Sequence, residues 1–142
     1  MKRVCLMALA LALALAVPAV AGAAHPIKGR YYNGSAFHGA YLVTTHHTIR
    51  TLWLFCRQPK WDHTFTPERR HSRYEIRDLV PVSRNGSFHY RGTADRYGAE
   101  GGSLGRWRIR LSGRFVTSRR VVITRHAADC AGGSRASARA VR

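Results

Sequence analysis

Arg106-Trp107-Arg108-Ile109-Arg110-Leu111-Ser112-Gly113-Arg114-Phe115 alternates strictly between two kinds of residue. Trp107, Ile109, Leu111, Gly113 and Phe115 take the odd positions; Arg106, Arg108, Arg110, Ser112 and Arg114 take the even ones. A period of two places one set on each face of a β-strand, whereas a helix would scatter both sets around its circumference. The segment is therefore a strand with a greasy face and an arginine face. After a polar break at Thr117-Ser118-Arg119-Arg120, Val121 to Arg125 reads as a strand pairing back on it.

Strand patterns of the same kind recur through the chain. Gly29 to Gly34 holds an aromatic pair between glycines, a short strand and turn. A second strand follows from Phe37 to Thr45, with His46-His47 at a turn. Thr48 to Cys56 ends apolar on both parities, as a covered strand does, and carries Cys56 inward. Residues 57–73, with Pro59 and Pro67, have no steady period and read as a long loop holding Trp61 and Phe65.

Tyr74 to Val82 is again strand-like, and Asn85-Gly86 marks a hairpin. A two-residue loop would oppose Ser83 to Phe88. A three-residue loop of Arg84, Asn85 and Gly86 opposes Val82 to Phe88 and Val80 to Tyr90, which matches the faces and puts Gly86 where a left-handed residue is needed. Residues 91–105, with five glycines, read as a glycine-rich loop. Ala136, Ala138 and Ala140 suggest a closing strand with small inward residues.

The expected fold is an all-β antiparallel β-sandwich or flattened barrel of seven to nine short strands, with no helix after the leader. Its core is expected from Trp53, Phe55, Phe88, Tyr90, Trp107, Ile109, Leu111, Phe115, Val121 and Ile123.

Residues 1–23 have the form of a cleavable signal helix: Lys2 and Arg3, an apolar run from Val4 to Val17, Pro18, then small residues. Fourteen apolar residues span roughly 21 Å as a helix, short of a ~30 Å hydrocarbon core, so no stable membrane anchor is expected. Residues 24–142 form one domain of about 120 residues, expected to be a monomer. It would be secreted, extracellular or cell-wall associated. Of the cysteines, Cys56 and Cys130 remain after cleavage, and in an oxidising compartment they make one disulfide. Closing a loop of about 75 residues would stabilise by roughly 4 kcal/mol in the chain-entropy model.

The formal charge is +17, with twenty-one Arg against three Lys. Abundant Arg, Ala and Gly is what a GC-rich genome writes whatever the protein binds, so charge alone argues for adhesion to polyanions and not for a purpose.

The features Gly29-Arg30-Tyr31, the strand ending in Cys56, Asn85-Gly86-Ser87-Phe88, Leu111-Ser112-Gly113-Arg114-Phe115, and Cys130 before Gly132-Gly133 carry a resemblance. In these the chain resembles a group of small exported β-proteins of GC-rich Gram-positive (actinobacterial) bacteria. The resemblance implies a β-fold and one disulfide, and brings no catalytic residues.

Three functional readings follow from the residues. Arg106, Arg108 and Arg110 form a ladder about 6.7 Å apart along a strand, with Arg114 further along the same face, suited to an anionic cell-wall polymer, acidic polysaccharide or extracellular nucleic acid through guanidinium contacts. A metal-independent exported ribonuclease or hydrolase would need Glu68 or Glu75 to meet His71 or His89 beside an arginine. A purely structural domain would owe its charge to composition. The histidines, including His46-His47 and Asp62-His63 with His71, lack metal-ligand spacing, so no metal or cofactor is expected. A binding or surface-associated module is favoured over an enzyme.

Overall fold

A computed structural model of the chain describes residues 24–35, 39–57, 71–98, 101–126 and 135–142. The signal segment, residues 58–70 and Cys130 lie outside the described residues. No helix occurs among those described. The strands are β1 (Gly29–Asn33), β2 (Ala40–Thr44), β3 (Thr48–Arg57), β4 (His71–Ile76), β5 (Val80–Pro81), β6 (Ser87–Gly98), β7 (Ser103–Thr117), β8 (Arg120–Arg125) and β9 (Arg135–Ala140).

Every pairing is antiparallel, and eight of the strands close on themselves. β1 lies between β2 and β9, β2 also pairs with β3, and the ring continues through β4, β6, β7 and β8 back to β9. β5 is an extra strand hydrogen-bonded to β3 alone. Of the two expected forms the molecule takes the barrel and not the sandwich. Two facing sheets would leave edges with bare N–H and C=O groups, and the β1–β9 pairing removes them.

The interior of so small a barrel is filled by side chains. Tyr31, Leu42, Ile49, Leu52, Leu54, Tyr74, Ile76, Phe88, Leu111, Phe115, Val121 and Ile123 are fully buried. Ala136 and Ala138 face in from β9.

Three expected core residues do not belong to the core. Trp53 and Phe55 stand half-buried on the outer wall. A bulge explains this: Val43 pairs with Thr51 but Thr44 pairs with Ile49, leaving Arg50 as an extra residue. One inserted residue reverses the faces, so Ile49 points inward with Leu52 and Leu54 while Trp53 and Phe55 point out. There Trp53 stacks on Tyr41 at 4.8 Å and lies 4.8 Å beneath the Arg73 guanidinium. Trp107 has the inward parity but is 41% exposed, because β8 covers β7 only from Leu111 onward.

The three-residue loop is present. Ser83 N–H donates to the Ser87 carbonyl and Gly86 N–H to that of Ser83, with Gly86 at φ 76°. Val82 and Phe88 are both buried. Val80, however, pairs with Ile49 of β3 and not with Tyr90, since the chain turns away at β5. The expected loop over 91–105 is instead mostly strand: β6 runs on to Gly98 and β7 begins at Ser103. Gly92 hides the alternation there, its missing side chain leaving space that the Tyr90 ring occupies.

Candidate functional site

The register between β6 and β7 puts arginines together. Arg91 is directly opposite Arg110, Thr93 opposite Arg108, and Asp95 opposite Arg106. All point out of the barrel. β8 ends at Arg125, and His126 donates its N–H to the Arg110 carbonyl at 2.9 Å. Where β8 stops, a cleft of about 480 Å³ opens on the wall, bordered by Arg91, Thr93, Arg108, Arg110 and His126.

Of the expected ladder, the fold brings Arg108 and Arg110 into this cleft and keeps Arg106 and Arg114 out of it. Arg106 is held by Asp95, 3.6 Å away, and donates to Thr93 Oγ1 at 2.8 Å. Arg114 lies further along β7, opposite Ser87 and Val122. Arg91 and His126 complete the cleft and were not singled out by the sequence. Arg91 sits in the stretch that reads as a loop, so its partner on β7 becomes visible only once β6 is known to continue.

Charge is sorted around the barrel. The described acids are Glu75 on β4, Asp78 just after it and Asp95 on β6. They are engaged locally: Arg77 lies 3.0 Å from Glu75 and 3.8 Å from Asp95, and Tyr90 Oη is 2.7 Å from Asp78. β7, β8, β9 and β1 carry no acid at all, while Arg108, Arg110, Arg114, Arg120, Arg139 and Arg30 are exposed on them. β8 registers with β7 only from Leu111 onward, so Arg114 lies between two paired strands while Arg106 and Arg108 precede the stretch that β8 pairs.

Two further arginines are inside. Arg96 is 6% exposed and its guanidinium lies 4.7 Å from the Trp107 ring and 5.4 Å from the Tyr74 ring. Arg125 crosses the barrel to donate to the Phe55 carbonyl at 2.7 Å, near Cys56 Sγ at 3.7 Å. Burial holds the Arg125 guanidinium below its usual pKa. Cys56 itself is 1% exposed at the inner end of β3.

Of the ribonuclease pairings, the fold keeps Glu75 apart from His89. Glu75 is opposite Asp95, whereas His89 lies six residues further along β6, roughly 20 Å away. Glu68 falls outside the described residues. His47 has its ring 6.5 Å from that of His46 and 5.5 Å from that of His25. Among the described residues no group of three or more His, Cys, Asp or Glu is placed to hold a metal ion. No protein-family model, curated protein or solved structure matches this chain.

Proposed function

We propose that this chain is an exported, single-domain β-barrel that binds an anionic polymer along its arginine-rich wall, with the cleft of Arg91, Arg108, Arg110 and His126 as the principal contact. The observation that carries the reading is the direct opposition of Arg91 and Arg110. Like charges facing each other across a ladder destabilise it. A bound phosphate or carboxylate turns that cost into two charge-assisted hydrogen bonds. Composition bias supplies arginines, but it does not by itself set two of them directly opposite each other with β7, β8, β9 and β1 free of acids.

Export remains part of this reading through the leader, and with it a Cys56–Cys130 disulfide. Support for the pairing is that Cys56 is buried near the end of β3. The polymer is met by contacts to charge alone at this cleft, so binding there is sequence-blind and falls steeply with salt.

The test compares two triple variants at equal net charge. Replacing Arg91, Arg108 and Arg110 by Gln should weaken binding to a polyanion column and in titration by at least about tenfold, since a hydrogen bond to a charged group contributes roughly 1.5–3 kcal/mol net. Replacing the exposed Arg50, Arg84 and Arg142 should cost far less. Equal losses would reduce the site to bulk charge and end the proposal.

A further inference from the structure

We infer that the polymer is single-stranded nucleic acid, and that Tyr32 is a base-stacking platform beside a phosphate clamp made by Arg120 and Arg139. The inference rests on the polyanion reading and adds to it an element that recognises a ring.

A second depression, of about 350 Å³, lies on the same wall between Tyr32, Asn33, Arg120, Ser137 and Arg139. The register explains its composition. Arg120 of β8 is directly opposite Arg139 of β9, and Arg139 is directly opposite Tyr32 of β1. Three adjacent strands therefore present guanidinium, guanidinium and phenol ring in one row, at steps of roughly 4.8 Å. This is a second like-charge pair built into the ladder of an acid-free wall.

Tyr32 is 52% exposed, yet it is held in place. Its ring meets Phe55 edge-on, with centroids 6.4 Å apart and planes at 88°. It also lies against Gly34, where an added Cβ would be 2.5 Å from the phenol oxygen. A ring already fixed in orientation loses little entropy when a second ring stacks on it.

The chemistry of the row favours a nucleotide. A single carboxylate is satisfied by one bidentate guanidinium. Two guanidiniums one strand apart suit a tetrahedral phosphate, whose oxygens point in several directions. The neighbouring tyrosine then calls for a planar group attached to that phosphate. In a duplex the bases are stacked on each other and unavailable, so the strand must be single. From Arg120 to the end of β8 is roughly 17 Å, so a short extended strand reaches from this depression to the Arg91–Arg110 cleft.

The experiment is fluorescence anisotropy on the folded protein with labelled oligothymidylate, an abasic phosphodiester chain of equal length, and unlabelled polygalacturonate as competitor. Oligothymidylate should bind about tenfold more tightly than the abasic chain, in the range of one stacked base. Tyr32→Ala should remove that margin while leaving abasic binding unchanged, and Tyr32→Phe should keep it. Arg120→Gln and Arg139→Gln should weaken both oligomers. Equal binding of the two oligomers, or displacement of both by polygalacturonate at lower charge concentration, overturns the nucleic-acid assignment and leaves the polyanion reading standing. Failure of all three polymers to bind removes both.

Discussion

Arg91 on β6 and Arg110 on β7 face each other directly in the antiparallel ladder, and among the described residues no acid pairs with either. Two guanidiniums so placed repel unless an anion lies between them. The barrel holds them there because both strands are committed on their other faces: Tyr90 and Leu111, also opposite each other, are buried in the core. The repulsion is thus imposed by packing on a surface that binding would relieve.

Removing one member of the pair should therefore stabilise the empty protein. Arg91→Gln is expected to gain roughly 0.2–1 kcal/mol at low ionic strength, read as a higher Tm. Added pyrophosphate should raise the Tm of the parent protein more than that of the variant, reversing the order.

Binding to a single strand should lose salt sensitivity in a residue-specific way. Arg108→Gln and Arg110→Gln should each lower the slope of log K against log salt by about 0.7. Arg106→Gln should change it less, because Asp95 and Thr93 already hold that guanidinium. Asp95→Asn should release Arg106 and tighten binding, as measured by the same titrations.

Gly113 is opposite Phe88, and a Cβ there would meet the phenyl ring at 2.2 Å. Gly113→Ala is expected to destabilise by about 1–3 kcal/mol through overpacking. Urea denaturation monitored by tryptophan fluorescence gives the value, with an unchanged m-value indicating that only the native packing has suffered.

Alkaline pH should weaken the fold. Burial and the hydrogen bond to Asp78 push the Tyr90 hydroxyl from 10.0 up to about 12. The unfolded chain releases this proton first, so the stabilisation is complete below pH 10 and drains away between pH 10 and 12. Tyr90→Phe should show a shallower loss of Tm across that window. Tyr31, whose hydroxyl burial also raises, adds to the loss in the same direction.

The strands were legible where side chains alternate cleanly: β7 and β8 need only Ile109, Leu111, Phe115, Val121 and Ile123 to declare themselves. Even the turn at Gly86 followed from matching Val82 to Phe88. The outer aromatics were misplaced because one unpaired residue, Arg50, shifts the parity of β3, and a bulge has no composition of its own. Closure was not readable either. The β1–β9 contact rests on two registered pairs of residues far apart in sequence. The cleft was half legible: Arg108 and Arg110 lie on an evident strand, but Arg91 gains its meaning only from the partner that register supplies.

The seam between Tyr31–Tyr32 and Ala140–Arg139 joins the earliest strand to the last. Until residues 135–140 have emerged, β1 and β8 each wait with a bare flank, and a chain cut short before them should clump with its copies instead of persisting as a looser monomer. Tyr32 and Arg139 straddle that seam. Whatever grips both of them takes hold only of a finished ring, and in doing so clasps its two ends shut.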